Sequence, residues 1–311
     1  MVMAHKQRTL KKPAHFTGVG VHSGEKVNLT IKPAPPNYGI NFKRVDLPAQ
    51  PTIKAHFNRV VDTSLATVIG EEEEGCIVST IEHVMACLAG LSIDNVVIEI
   101  DGHETPIMDG SAALFTQKIK DAGVVSQDAP RMYFAIKKPI VLEKDGKSVK
   151  LYPARNFKIT CTIEFDHPAI GNQTFSIDLT EKTFEEEICR ARTFGFLHEV
   201  EYMKFYGLAK GGSLDNAVVI DENGVMNEGG LRFADEFVRH KILDCIGDFS
   251  LLGMPIIGHA VLYKSGHLFN HEFLKEFFKQ KSAWETMTLE AFEAANQNIP
   301  EPSKDKNAKA Y

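Results

Sequence analysis

Phe237-Val-Arg-His240-Lys-Ile-Leu-Asp244-Cys-Ile-Gly247-Asp248 reads as the centre of a helix over about residues 233–249. His240, Asp244 and Asp248 recur every four residues and line one helical face, while Phe237, Ile242 and Leu243 supply apolar contacts elsewhere. An imidazole and a carboxylate one turn apart can share one metal ion. On a helix standing alone, the same pair would more often be a surface His–Asp contact.

A second histidine-bearing helix begins near Ser79, with Glu82 at capping-box spacing and Val84, Met85, Leu88 and Leu91 as an apolar stripe. Gly90 follows His83 by seven residues, as Gly247 follows His240. After each helix come a strand (residues 95–100 and 256–263), a Gly-His pair (Gly102-His103 and Gly266-His267) and another helix (about 111–122 and 270–280). Strand-like runs precede both: 27–31, 40–42 and 60–69 in the first half, 135–142, 148–152, 157–165 and 175–179 in the second. Lys144-Asp145-Gly146 and Asn223-Gly224 are hairpin signals. The repeated order predicts an α+β protein of two related units. If they pack about an approximate two-fold axis, His83 and His240 face each other across the seam. The polar, turn-prone residues 126–130 mark the expected boundary, giving a first domain over 1–127 and a second over 131–285. Residues 298–311 read as a mobile polar tail.

The 311 residues carry 35 basic and 41 acidic side chains, a formal net charge of −6, which argues against a nucleic-acid partner. No apolar run approaches the ~20 residues of a membrane span, and the basic N-terminus has no apolar core behind it, unlike a secretory signal. Five scattered cysteines without a CxxC predict a reducing, cytoplasmic setting. The sequons at Asn28 and Asn172 then read as chance, and the acidic run at residues 71–74 as a solvated turn.

His83, His240 and Asp244 together make two imidazoles and one carboxylate, a set that leaves a fourth position open as catalytic zinc sites do. Ferrous iron suits the same donors. Adjacent residues on a helix diverge by ~100°, so Glu82 is expected to face water at the metal rather than to ligate it. Read alone, Glu82 could simply cap its helix and His83 simply fill the core. His267, in the strand-to-helix loop Lys264-Ser-Gly-His267, is a candidate proton donor with Asp248 holding its charge. Cys87 reads as a packed helix residue. No HExxH, GxSxG or Walker A motif occurs, and Gly18-Val-Gly20-Val-His22-Ser-Gly24 has the wrong spacing for a dinucleotide fingerprint and reads as a tight loop.

Six ordered motifs carry a resemblance. They are Gly18-Val-Gly-Val-His-Ser-Gly24, Ser79-Thr-Ile-Glu-His83, Pro106-Ile-Met-Asp-Gly-Ser-Ala112, Arg190-Ala-Arg-Thr-Phe-Gly-Phe196, Phe237-Val-Arg-His-Lys-Ile-Leu-Asp244 and Lys264-Ser-Gly-His267. From about Leu10 to Trp284 the chain resembles the UDP-3-O-acyl-N-acetylglucosamine deacetylases, which perform the committed step of lipid A synthesis in Gram-negative bacteria. The resemblance implies two domains, each a sheet packed on two helices, with the active site between them. It implies zinc on His83, His240 and Asp244, Glu82 as general base, His267 as general acid, Asp248 orienting His267, and Thr193 donating to the oxyanion. It places Phe194 and Lys241 at the substrate, with Phe165, Lys264 and Lys147 near the nucleotide. Residues 193–228 then form an inserted β-α-β unit whose Phe194, Phe196, Val200, Tyr202 and Met203 line an acyl-chain passage. Ser64-Leu-Ala66 falls where some relatives carry a bulkier or sulfur-containing residue beside the metal.

Two rival readings fit the same residues: an amidohydrolase for another N-acyl sugar, and a non-catalytic module that keeps the pocket. Glu82 and His267 speak against the second, since binding alone needs neither. No interface patch is legible, so the sequence assigns no oligomeric state.

Overall fold

The computed structural model describes residues 4–71 and 75–296. Most of the acidic run and the whole of the 298–311 tail lie outside the described residues. Two sheets dominate. In the first, Ala14–Val19, Lys26–Pro33, Val96–Ile100, Ile40–Arg44 and Thr52–Lys54 lie side by side in that order. Successive pairs are antiparallel, antiparallel, parallel and antiparallel. In the second, Ile140–Lys144, Lys147–Tyr152, Ile256–Tyr263, Phe157–Glu164 and Asn172–Asp178 repeat both the order and the four senses. The expected internal repeat is therefore visible as topology. Met132–Ile136 and Trp284–Thr288 extend the second sheet only.

The first sheet carries α1 (Glu82–Gly90) and α2 (Ala113–Ala122). The second half holds a short α3 (Glu181–Thr183) running into a π-turn (Phe184–Ile188), then α4 (Leu197–Phe205), α5 (Glu236–Ser250), α6 (His267–Lys279) and α7 (Leu289–Asn296). The β-α-β insert is present: Phe194–Phe196 and Val218–Asp221 pair in parallel around α4. Helices α1 and α5 pack on each other in one apolar core shared by both units, with Phe16, Phe42 and Phe115 from one side and Phe237, Phe273 and Phe277 from the other.

Several local expectations are corrected. Ser79 does not cap α1: the helix starts at Glu82, Thr80 before it has φ +59°, and no side chain caps the end. Helix α1 is buried nearly all round rather than on one stripe, so Glu82 and His83 are interior groups. Residues 126–130 are no turn; they belong to the strand Val124–Pro130, which pairs with Lys6–Leu10. The run 135–142 is two strands, because Lys137 and Lys138 instead donate their amides to the Ala283 carbonyl just before Pro139. The run 60–69 is likewise two antiparallel strands, Val60–Asp62 and Val68–Glu71, joined by a turn in which Asp62 accepts from Thr63 and Ser64. The second hairpin turns on Glu222-Asn223 rather than Asn223-Gly224, since Asp221 pairs with Gly224. His267 is the first residue of α6, not part of the loop before it.

The seam between α1 and α5 depends on one missing side chain. A Cβ on Gly247 would lie 2.2 Å from the Glu82 carbonyl oxygen and 3.0 Å from its Cα, both backbone atoms that cannot rotate away. Gly90, its counterpart in the repeat, is close to a side chain instead: a Cβ there would lie 2.4 Å from the Phe184 ring. Gly247→Ala is therefore expected to lower the unfolding free energy by about 1–3 kcal/mol in denaturant titration, overpacking exceeding the ~0.5–1 kcal/mol that alanine returns in helix propensity. A variant as stable as the parent would mean that the helices can slide apart at no cost.

Candidate active site

The first turn of α1 and the middle of α5 bring His83, His240 and Asp244 together, all buried. One ligand atom from each lies within 4.8 Å of the others. The imidazole rings stand edge to face, 5.1 Å apart at 88°. Asp244 Oδ1 is 3.2 Å from His240 Nε2 and 3.9 Å from His83 Nε2. His240 Nδ1 must donate to the Ala191 carbonyl at 3.1 Å, because a carbonyl only accepts. Nε2 of the neutral ring then presents a lone pair to a carboxylate oxygen that has no hydrogen-bond donor of its own. His83 Nδ1 is also buried without a partner. Two facing acceptors are repulsive unless a cation lies between them, so this donor set fits a divalent metal ion.

The charges agree. Burial lowers His83 to about 3, helped by the neighbouring His240, and burial also lowers His240. Both rings thus stay neutral, the form that ligates metals. Burial alone would raise Asp244, but positive charge around it, from His240 whenever that ring takes a proton and from Lys241, holds it far below the usual carboxylate range. Lys241 donates to Asp244 Oδ2 at 2.8 Å, leaving Oδ1 to face the histidines.

Beside this set stand two titratable groups with displaced pKa values. The Glu82 carboxyl is pushed up to about 7 by burial first, with Asp244 and Asp248 adding to the rise and His267 opposing it. Its Oε2 accepts the Thr67 amide at 3.1 Å, and its Oε1 lies 3.8 Å from His267 Nε2. Burial disfavours a charge on His267, but Asp248, joined by Glu82 and Asp244, outweighs it and raises the ring to about 10. His267 Nδ1 donates to Asp248 Oδ2 at 2.9 Å. The same oxygen accepts Asn270 Nδ2 at 2.8 Å, and Oδ1 accepts the Thr67 hydroxyl at 2.6 Å. Thr67 and Asn270 were not legible in the sequence, for the Asp248 carboxylate that joins them lies 181 residues from one and 22 from the other.

The segment 190–196 is anchored to both units. Buried Glu236, in the first turn of α5, accepts the Arg192 guanidinium at 2.8 and 3.0 Å and the Arg192 amide at 2.9 Å. That fixes the Ala191 carbonyl on His240. The Thr193 amide donates to the Gly110 carbonyl at 2.8 Å, and Gly110 has φ +81° with its missing Cβ directed at the Asn216 carbonyl. Phe194 packs on Phe165 (5.8 Å) and Phe237 (5.0 Å), and Lys241 Nζ lies 5.5 Å from its ring centre. Phe196 lies 6.0 Å from Phe165. Tyr202 instead is exposed on α4, where it contacts Tyr206. Lys264 pairs with Glu164 at 3.0 Å. Ser148 pairs with Tyr263, so Lys147 begins its strand at the end where Lys264 leaves the neighbouring one. The five cysteines are buried thiols outside any disulfide, with Cys87 against Thr116 at 3.4 Å. Among the described residues, no helix is long and apolar enough to cross a membrane.

A sequence model of the UDP-3-O-acyl N-acetylglycosamine deacetylase family matches residues 7–279. The chain is 52% identical over 282 residues to the UDP-3-O-acyl-N-acetylglucosamine deacetylase of Myxococcus xanthus, covering 91% of this chain and 89% of that one. Its identity to the protein of that name from Teredinibacter turnerae is 49% over 292 residues, 93% and 96% of the two chains. To that from Histophilus somni it is 46% over 301 residues, 96% and 98% of the two. With a match along most of its length and near half-identity to relatives of its own size, the chain belongs to the UDP-3-O-acyl N-acetylglycosamine deacetylase family.

Proposed function

We propose that this enzyme hydrolyses the acetamide of UDP-3-O-acyl-N-acetylglucosamine to acetate and UDP-3-O-acyl-glucosamine, the committed step of lipid A biosynthesis. The domains are assigned to residues 1–127 and 131–285, with the acyl passage in the insert at 193–228. The observation that carries the reading is the pair of buried Glu82 and half-buried His267, 3.8 Å apart beside a buried three-donor set. His83, His240 and Asp244 would hold Zn2+, or Fe2+ where iron is supplied. When bound, that ion supplies Lewis acidity toward the acetamide carbonyl and the attacking water.

The rest falls to the chain. Glu82 Oε1, its partner oxygen tied to the Thr67 amide, takes a proton from water as the oxygen attacks the carbonyl carbon. A carboxyl near 7 suits a base working at neutral pH. The Thr193 hydroxyl donates to the developing oxyanion, on a backbone pinned from both sides. His267 enters as the cation and delivers its Nε2 proton to the departing sugar nitrogen while Asp248 holds Nδ1. The C–N bond breaks, acetic acid and the neutral amine leave and settle in water as acetate and ammonium, and the proton held by Glu82 passes to His267, which returns the pair to its starting state. Lys241 and Phe194 contact the substrate beside the metal ligands, and Phe165, Lys264 and Lys147 lie toward the nucleotide.

The test is acetate release from UDP-3-O-acyl-N-acetylglucosamine before chelation, after it, and with zinc added back. Release lost to the chelator and restored by zinc is the expected result. Metal-loaded protein that releases no acetate would overturn the reading. Equal turnover of N-acetyl sugars lacking the O-acyl chain or UDP would move the substrate elsewhere.

A further inference from the structure

We infer that Thr67 is a positioning residue that sets the general base and the general acid in one frame, its amide holding Glu82 and its hydroxyl holding Asp248 against His267. This rests on the acid–base reading of Glu82 and His267. Thr67 is buried between the two strands and the start of α1, and its carbonyl accepts the Ile81 amide at 3.3 Å. Every polar atom it owns is therefore spent on the site or on the helix that carries Glu82. Its amide donates to Glu82 Oε2 at 3.1 Å, which turns Oε1 toward His267.

The hydroxyl sets proton positions. A carboxylate cannot donate, so the Thr67 proton goes to Asp248 Oδ1 at 2.6 Å. The Thr67 oxygen can then only accept, and the group facing it at 3.3 Å is His267 Nδ1. Nδ1–H thus points at two acceptors, Asp248 Oδ2 at 2.9 Å and Thr67 Oγ1. The ring keeps its Nδ1 proton and gives up the one on Nε2, the nitrogen 3.8 Å from Glu82. Without the hydroxyl, Asp248 Oδ1 loses its donor in a buried site, and the carboxylate is held through Oδ2 alone, by Asn270 and by the imidazole it should orient.

Thr67→Val keeps the shape and the amide but removes the hydroxyl; Thr67→Ser restores it. Thr67→Val is expected to lower kcat by about 10–100-fold, the scale for partners that orient catalytic groups. KM and bound zinc should stay as in the parent, and Thr67→Ser should recover kcat to within a few-fold. In metal-free, 15N-histidine-labelled protein, the His267 Nδ1–H resonance should persist in parent and Ser variant and be lost to exchange in the Val variant. Thr67→Cys, of similar size with a weaker donor, takes the place of Thr67→Val if that variant fails to fold, and should fall between Ser and Val. Full kcat with an intact Nδ1–H signal in Thr67→Val, or equal losses in Val and Ser, would overturn the inference. His267→Ala run alongside separates the two levels: if it is as active as the parent, the acid–base reading fails; if it is crippled beside a fully active Thr67→Val, only the role of Thr67 fails.

Discussion

Glu82→Gln is expected to cut kcat by about 10²- to 10⁴-fold, roughly 3–5 kcal/mol at 1.36 kcal/mol per tenfold, while bound zinc stays at the parental level. The substitution keeps the side-chain volume, and the amide oxygen can still accept the Thr67 N–H that Oε2 now accepts at 3.1 Å. What disappears is the lone pair able to take a proton from water. The cost of a buried carboxylate also disappears: burial is the chief reason this carboxyl is pushed up to about 7. Thermal stability should therefore match or exceed that of the parent, the signature of a residue kept for chemistry. The pH profile gives the sign. A general base works only when deprotonated, so with Glu82 in that proposed role parental activity should rise with pH along the acid limb, and the Gln variant should lack that limb. His267→Ala should lose activity on a similar scale with its metal in place. More than a tenth of parental kcat in Glu82→Gln would remove Glu82 from the role of base.

What the sequence revealed follows from the range of the interactions. His240, Asp244 and Asp248 were legible because one helical face brings i, i+4 and i+8 together without any tertiary contact. The repeat was legible because the order of strands and His-bearing helices survives where residue identities do not, and the second sheet reproduces the first strand for strand. The link between His83 and the α5 pair needed the two-fold packing as a hypothesis, and the roles of Thr193 and Lys264 came only from the family resemblance. Thr67 escaped because its partners lie 15, 181 and 200 residues away. The capping reading of Ser79 and Glu82 failed for a physical reason: a carboxylate that closes a capping box faces its own helix end, whereas this one is turned into the site by an amide from another strand. Residues 126–130 misled because polar composition marks turns only on average, and a partner strand at residues 6–10 overrides it.

Asp244→Asn is expected to abolish metal retention and reduce activity to background at limiting metal, with affinity falling more than the ~10–100-fold typical of outer-sphere partners. Lys241 requires an oxygen at 2.8 Å, so the asparagine places its carbonyl there and its NH2 where Oδ1 was. That puts an N–H donor 3.2 Å from His240 Nε2, whose lone pair would otherwise serve a cation. The new hydrogen bond satisfies the two groups that oppose each other in the metal-free parent. Metal-free Asp244→Asn should thus unfold at a temperature equal to or above that of the metal-free parent. The parent should gain with zinc as RT ln(1 + [L]/Kd), about 2.7 kcal/mol at a hundredfold excess over Kd, whereas the variant should gain nothing. Glu82→Gln should keep the full zinc-dependent gain, so the two variants separate metal binding from proton transfer. Zinc bound stoichiometrically after dialysis of Asp244→Asn, or no zinc-dependent gain in the parent, would take Asp244 out of the ligand set.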